Sequence, residues 1–417
     1  MRLATANAFE SNIDNITSRQ ADLSKLHDKV SSGQRVSKAS DDPISAARAE
    51  RALSRITQLQ AEQRALNVQR DSLAVAESTL GDAGTLMQRF RELAVSVGTG
   101  SMSGPDRTTV ANEMQSIRDQ VFSLANTRSS NGVYLFSGLE SGQVQGVTTP
   151  AFTITGAPPA QQYQYNGTPG QNSPTQSAVP YTMDGDATWM QVPKGNGIYD
   201  VTLGAANKGQ IATDMGQFST TPPGGSMAAG YQIAFTVTGT TTTYSVNTVP
   251  ATTGTYAPGQ PIAFTDTAAA PNVNVSLMVQ GTPQTGDTVD IAPYSVANPA
   301  NASIFELMDK VINGVTGAGS SSPSLAQTVA QGLMRVDAGM ERLQASRGQA
   351  GLWLSRADTV TSSNDVLGDQ LETDRSNAQD LDMVRGIAEQ QKMQTGYQAA
   401  LQSYAQIQKL SLFDYIR

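Results

Sequence analysis

The charged residues of this chain are distributed so unevenly that they constrain its fold more than any other feature. From Ser141 to Ala300 there is no Arg, no Glu and no His, and the only charges are two Lys and seven Asp. The segments on either side are rich in charge, Gln and Ala. A composition that changes once and then reverts indicates that the two ends form one body and that the middle is an inserted module.

The N-terminal segment has the spacing of an amphipathic helix that ends in a short link. Its apolar residues recur at steps that combine into threes and fours, at Phe9, Ile13, Ile16, Leu23, Leu26 and Val30. Gly33 is suited to close this helix because glycine readily takes the left-handed conformation. Asp42 followed by Pro43 predicts the start of a second helix, with Asp42 as its capping residue.

The second helix is predicted to be long, because its apolar residues repeat every seven positions. The repeat falls on Leu59, Leu66, Leu73, Leu80, Met87 and Ala94. Such a row is typical of a coiled-coil seam. A third helix is predicted after Pro105, and helical spacing returns from Ile304, then from Leu325 to Leu371, and finally from Leu381 to Ile407.

The middle of the chain has the pattern of β-structure. Asn131-Gly132, placed before the apolar run Val133–Phe136, predicts a hairpin. Further on, short apolar runs such as Ile233–Val237 and Val273–Val279 are separated by Gly, Pro, Asn and Thr. Strands at this spacing favour one or two small antiparallel sandwiches or barrels.

These patterns together predict an α+β multidomain fold. The expected architecture is a long α-helical coiled-coil bundle, formed by paired N- and C-terminal segments, with an inserted all-β module. The expected boundaries are 1–45 paired with 375–417, 46–140 paired with 301–374, and 141–300 for the module, with a break near 204–225 if the module is divided.

Composition closes most routes to catalysis. The chain has no Cys and a single His27, so thiol nucleophiles, disulfides, Cys-ligated metals and paired metal-binding histidines are excluded. Asp184-Gly185-Asp186 could open a calcium loop, but the other ligands of such a loop are absent and a turn is the simpler interpretation. His27 is interpreted as a packed or solvated side chain. We therefore expect no enzyme, no catalytic residue, no cofactor and no metal.

Charge and hydropathy also limit the partners. The formal net charge is −8 without a basic patch, which argues against nucleic acid and acidic membranes. No run of eighteen apolar residues occurs, so no membrane span is expected, and the first residues lack the apolar core of a cleavable signal peptide. An alternative function is an adhesive or carbohydrate-binding module in the middle, with Tyr163, Tyr165, Tyr181 and Trp189 as stacking candidates, although core packing explains these residues more simply.

The link between the first two helices carries a family resemblance. Residues 31–43 read SSGQRVSKASDDP, which closely resembles the signature shared by bacterial flagellins and the hook-filament junction proteins. Residues 131–138, NGVYLFSG, and residues 410–416, LSLFDYI, resemble the junction proteins within that superfamily. The resemblance covers both ends of the chain well and the middle loosely.

The resemblance implies a structural protein of the bacterial flagellum that forms a ring of identical subunits between the hook-proximal layer and the filament. Its implied partners are hook-associated protein 1 (FlgK), flagellin, the filament cap protein, an export chaperone of the FlgN type and further copies of itself. It also implies export through the flagellar type III apparatus to the cell exterior. A flagellin, the filament subunit, is the second possibility.

The apolar stripes on these Gln- and Ala-rich helices are narrow, so one chain satisfies them only in part. We therefore expect segments 1–45 and 375–417 to order when neighbouring subunits supply the missing surface. The residues expected to form the assembly interface are Ile13, Ile16, Leu23, Arg35, Asp41, Asp42, Leu401, Leu412 and Phe413.

Overall fold

The protein is described by a computed structural model. The residues it describes are 2–98, 102–139, 149–156, 161–171, 179–204, 206–220, 227–269, 272–295, 300–317 and 323–415, with the side chains of 2–9, 323–324, 326 and 407–415 left aside. The chain divides into two compact units. Unit 1 comprises Met1–Leu66 and Thr359–Arg417, and unit 2 comprises Asn67–Asp358.

Unit 1 is helical. It contains α1 (Arg2–Ser32) and α6 (Met383–Tyr415), together with the N-terminal part of α2 (Pro43–Gly98) and the C-terminal part of α5 (Pro323–Gln379). Helix α1 packs against α6 in antiparallel orientation, with His27 Nδ1 2.9 Å from Gln390 Nε2. Helix α1 ends at Ser32, directly before Gly33 with its left-handed φ of +72°, and α2 begins at Pro43. Both predicted helix ends are therefore confirmed.

In unit 2 the heptad row of α2 lies inside the protein. Its members Leu73, Leu80, Met87 and Ala94 are buried, and so is the companion row Ala76, Ala83, Phe90 and Val97. Helix α5 faces this row with buried Val336, Leu343, Ala350 and Ala357. The seam is therefore intramolecular in unit 2. The charged pairs beside it, such as Arg91 with Asp337, are exposed and contribute little to stability.

An aromatic cluster lies in the core of unit 2. Helices α3 (Gly104–Ala125) and α4 (Ile304–Gly317) enclose it with a hairpin of β1 (Phe152–Thr155) and β2 (Gln162–Tyr165). Phe305 contributes the central ring, which stacks on Trp189 at 5.8 Å and meets Phe122 edge-on at 5.2 Å. Trp189, on a single π-helical turn, is fully buried.

The predicted hairpin at Asn131-Gly132 is present in its shortest form. Gly132 lies in the turn, with φ +80°, and two antiparallel backbone bonds flank it: Ser129 N–H donates to Val133 O at 2.8 Å, and Leu135 N–H donates to Thr127 O at 3.0 Å. The ladder is limited to one bridge, between Arg128 and Tyr134, because the three successive residues Tyr134–Phe136 are all buried. A strand with one face on the core alternates inward and outward side chains, and this segment does not.

The strands from 199 to 293 form a sandwich of two antiparallel sheets. They are β4 (Tyr199–Leu203), β5 (Gln210–Thr213), β6 (Gln217–Thr220), β7 (Tyr231–Thr238), β8 (Thr241–Val246), β9 (Thr252–Thr255), β10 (Pro261–Asp266), β11 (Val273–Thr282) and β12 (Thr288–Pro293). A separate short pair is formed by β3 (Val192–Pro193) and β13 (Asn301–Ala302). One sheet has the order β4-β12-β7-β8-β9; in the other, β11 pairs with β10, β5 and β6. A single buried core includes residues on both sides of 204–225, such as Val201 and Ile233, so this sandwich is one body.

We predict that Phe305→Ala destabilises unit 2 by about 3–5 kcal/mol, because it removes a buried ring that four other aromatic residues contact. The measurement is urea unfolding followed by tryptophan fluorescence. Leu352→Ala is the control, because that leucine lies exposed on α5; equal losses in the two variants would contradict the proposed role of the cluster.

Candidate assembly interface

In unit 1 the two breaks between helices are tied to one another. The backbone N–H of Arg35 donates to Gln379 O at 2.8 Å, and the N–H of Leu381 donates to Gly33 O at 2.8 Å. A bridge between Gln34 and Asp380 lies between these bonds. The end of α1 and the start of α6 are therefore held beside the end of α5, so the turn after each helix is fixed by the other.

We call the tie between residues 33–35 and 379–381 the clamp, and the side chain of Arg35 is also part of it. Its Nη2 donates to Ala378 O at 2.7 Å and to Ser45 Oγ at 3.2 Å, and its Nη1 lies 3.4 Å from Asp42 Oδ2. The Ala378 carbonyl lies in the last turn of α5, where carbonyl groups have no hydrogen-bond donor within the helix. The Arg35 guanidinium supplies the missing hydrogen bond. The side chains of Arg35 and Asp42 are partly exposed, so this arrangement sets geometry more than it adds Coulombic stability.

The two acidic residues of the link act as backbone acceptors. Asp41 Oδ2 accepts the N–H of Lys38 at 3.1 Å, and this bond lowers the pKa of Asp41. Asp42 Oδ1 accepts the N–H of Ser45 at 3.1 Å, which caps α2 as predicted. Hydrogen bonds from the side chain and backbone of Ser45, and then the nearby Arg35, lower the pKa of Asp42 to about 2.

The apolar residues predicted for the interface divide into two groups. Ile13 on α1 and Leu401 on α6 are 43% and 40% exposed, whereas Ile16 and Leu23 are half-buried. The backbones of Leu412 and Phe413 belong to α6, but their side chains lie outside the described residues. The structure thus brings Arg35 and Asp42 together in the clamp, uses Asp41 to hold the backbone of the link, and leaves Ile13 and Leu401 on the surface.

Several exposed apolar residues of unit 1 were missed by the sequence analysis. Val384 is 82% exposed, Val366 is 71% exposed and Ile44 is 67% exposed, and Leu53, Leu367, Met383 and Ile387 are also exposed. Leu367 lies within the helical apolar spacing from Leu325 to Leu371, yet its side chain is exposed. The signal that could have found them is the apolar doublets 366–367 and 383–384, since two adjacent residues cannot both lie on one narrow stripe.

The aromatic residues considered for carbohydrate binding serve other roles. Trp189 is buried in the cluster, and Tyr165 packs against Phe152 at 5.1 Å. The hydroxyl of Tyr163 donates to Asp309 Oδ2 at 2.5 Å, and Tyr181 Oη lies 3.2 Å from Ser129 Oγ. These side chains are anchored in unit 2 and do not form a shared exposed platform.

The other polar positions that the sequence singled out are also structural. Asp184 accepts the backbone N–H of Gly170 at 2.8 Å and that of Ala187 at 3.1 Å, and so positions the π-helical turn. Within the ranges that the structure describes, no group of three or more acidic or histidine side chains is placed to hold a metal ion. Of the described helices, none is long and apolar enough to cross a membrane.

We predict that Ser45→Ala raises the pKa of Asp42 from about 2 toward its ordinary 3.8, because the Ser45 hydroxyl is the largest cause of the shift. A depressed carboxyl pKa stabilises the folded link above about pH 4, and this contribution is lost as the pH falls through about 2. The measurement is an NMR titration of carboxyl carbons in the labelled full chain. Ser37→Ala, which removes a partner of Asp41 instead, is the control; a wild-type Asp42 titrating near 3.8 would contradict the clamp geometry.

Comparison with known proteins agrees with this architecture. Residues 4–141 match the bacterial flagellin N-terminal helical region, and residues 333–416 match the bacterial flagellin C-terminal helical region. Together the two matches cover more than half of the chain. Each match contains one side of the clamp, with Arg35 in the first and Gln379 in the second.

Individual relatives separate two branches of this superfamily. The chain is 38% identical to flagellar hook-associated protein 3 of Salmonella typhimurium over 145 residues, which are 34% of this chain and 44% of that protein. It is 31% identical to flagellin 1 of Proteus mirabilis over 139 residues, which are 33% of this chain and 37% of that protein. The matched segment thus spans less than half the length of either relative.

The likeness in structure extends further along the chain. The crystal structure of Xanthomonas campestris FlgL superposes with a TM-score of 0.62 at 26% identity and covers 79% of this chain and 99% of that one. That coverage is larger than the two regions matched by the family models, so the likeness extends into the part of the chain between them. The chain belongs to the flagellin superfamily and, within it, groups with the hook-associated protein 3 (FlgL) proteins.

Proposed function

We propose that this chain is a structural junction protein of the bacterial flagellum, which assembles through its terminal helices into a ring between the hook-proximal layer and the filament. The observation that carries the proposal is in unit 1. Long paired helices there leave large apolar side chains such as Val366 and Val384 in solvent, which is costly unless other subunits cover them. An ordered clamp at the helix breaks holds this surface in a fixed shape.

The partners follow from the position in the ring. One face would contact hook-associated protein 1 (FlgK), and the other would receive the filament cap protein and then flagellin, while neighbouring copies pack side by side. A chaperone of the FlgN type would cover the C-terminal helix before export. Export of an unfolded chain through the type III channel is compatible with the absence of Cys, since no disulfide could hinder threading.

A flagellin is the second candidate, because flagellins match the same helical regions. The junction role is favoured by the higher identity to hook-associated protein 3 than to flagellin 1, at 38% against 31%. An enzymatic role has less support, because the Asp residues of the module accept backbone hydrogen bonds. Asp287, for example, accepts from Lys208, Gly209 and Gln284.

Deletion of the gene is expected to leave hooks without filaments and to release flagellin monomers into the medium. Electron microscopy of the cells, together with immunoblotting of the medium, measures both effects. Filaments of normal number and length would rule out the junction role. Loss of the bulk filament protein itself would instead identify a flagellin.

Leu401→Asp is expected to abolish filament growth without unfolding the β-sandwich, because it places a charge on an apolar surface position of α6. The measurement is filament number per cell in the complemented deletion strain, with circular dichroism of the purified chain. Gln402→Asp adds the same charge at an exposed polar neighbour and should support filaments. Normal assembly of the Leu401 variant would show that this position lies outside the interface.

A further inference from the structure

A basic groove lies beside the clamp in unit 1. It has a volume of about 690 Å³ and runs between the first turns of α2 and the last turns of α5. Arg48, Arg51 and Arg55 line its α2 side, and Leu371 and Asp374 line its α5 side. Three arginines and one aspartate therefore line the groove, in a chain whose formal net charge is −8.

The three arginines have no acidic partner in the part of the chain that the structure describes. Among the described residues, none of Arg48, Arg51 and Arg55 forms an ion pair, and the one hydrogen bond of these side chains is from Arg51 Nε to Ala47 O at 3.1 Å. All three side chains belong to exposed residues. Because spacings of three and seven residues place them on one side of α2, their charges add along a single stripe.

An acidic stripe on α5 complements this groove. Asp365, Asp369 and Glu372 are exposed and spaced by three to four residues. Within the described ranges, Glu372 pairs with Arg375 of its own helix at 2.8 Å, whereas the carboxylates of Asp365 and Asp369 form no ion pair. The same unit therefore presents, among its described residues, three arginines and two aspartates without ion-pair partners.

The acidic stripe and the groove lie on different sides of α5. At 3.6 residues per turn, Asp365, Asp369 and Glu372 fall in a sector roughly 60° wide, whose centre is roughly 170° from Asp374 and roughly 130° from Leu371. The acidic stripe thus points away from the groove. A surface and its complement on opposite sides of one unit are the requirement for a heterologous contact, which links copies head to tail and can close into a ring.

We propose that the Arg48/Arg51/Arg55 groove receives the acidic stripe of α5 from a neighbouring copy of this chain, and that this contact sets the register between subunits. The inference rests on the proposed junction function. Arginine suits the role because its planar guanidinium can bind carboxylates in a bidentate manner. Opposed charges fix register and disfavour wrong pairings more than they add affinity, which is what a ring of identical subunits needs beyond apolar contact.

The first test is charge reversal in the complemented deletion strain. Arg51→Glu and Asp369→Arg should each abolish filaments, because each places like charges across the contact, and the double variant should restore them by exchanging the signs. Arg64→Glu is the matched control: it is an exposed arginine on the far side of α2 and should support normal filaments. Melting curves of the purified chains verify that each variant folds.

Normal filaments from either single variant would overturn the proposal. So would failure of the folded double variant to restore filaments, because the groove would then bind an acidic partner other than this chain. Filaments that persist after gene deletion would instead refute the junction function itself, so the two failures are distinguishable.

A second test uses the absence of Cys from the chain. The pair Arg51→Cys and Asp369→Cys, introduced together, should form disulfide-linked multimers when intact flagella are oxidised, because the two positions lie on opposite sides of unit 1 and meet between copies. Arg64→Cys with Asp369→Cys should remain monomeric on a denaturing gel. If cells that carry the Arg51/Asp369 double cysteine variant grow flagellar filaments but give no multimers, the contact is refuted and the junction role is unaffected.

Discussion

The antiparallel pairing of α2 with α5 is the interaction on which the rest of the structure depends. These two helices lie on either side of the inserted module in sequence. Their buried seam brings the two ends of the module together and so closes a long loop of the chain. The seam is tight because small residues occur where helices approach. A Cβ on Gly98, for instance, would lie 2.8 Å from Val329 Cγ1, so a larger side chain there would force the helices apart.

The same pairing has a different character at the far ends of the two helices. In unit 2 the seam is filled by Leu, Met, Phe and Ala. In unit 1, by contrast, fewer of the described apolar residues are buried, and half of those are alanines: Val36, Ala49, Ala52, Leu66, Leu371 and Ala378. Less apolar area is buried there for each residue ordered, so the balance with conformational entropy is closer. The clamp around Arg35 offsets part of this entropy cost, because it fixes the chain at the break between α1 and α2 and at the break between α5 and α6. This closer balance supports the proposal that unit 1 orders together with its contacts to other subunits.

Sequence reasoning succeeded where the determinants are local. Gly33 and the Asp42-Pro43 pair fix helix ends through their own backbone preferences, and a seven-residue repeat needs no partner to be visible. It failed where the outcome depends on distant residues. The burial of Tyr134–Phe136 depends on rings contributed by residues far along the chain, such as Trp189. The basic groove was invisible for the same reason, since only the position of α5 shows that the arginines of α2 lack partners.

The distribution of charge now has a physical explanation. The inserted module uses its few carboxylates internally: the Asp266 carboxylate is fully buried and accepts hydrogen bonds from three backbone N–H groups and the hydroxyl of Tyr231. A sandwich built in this way needs no surface charge to specify its fold. The helical ends carry the other charges, and there three arginines of α2 line the groove while Asp365, Asp369 and Glu372 form a stripe on another side of α5. Charge is therefore concentrated in the part of the chain where, in the proposed ring, identical subunits would have to select one register out of many similar ones, and it is sparse where the fold alone determines the contacts.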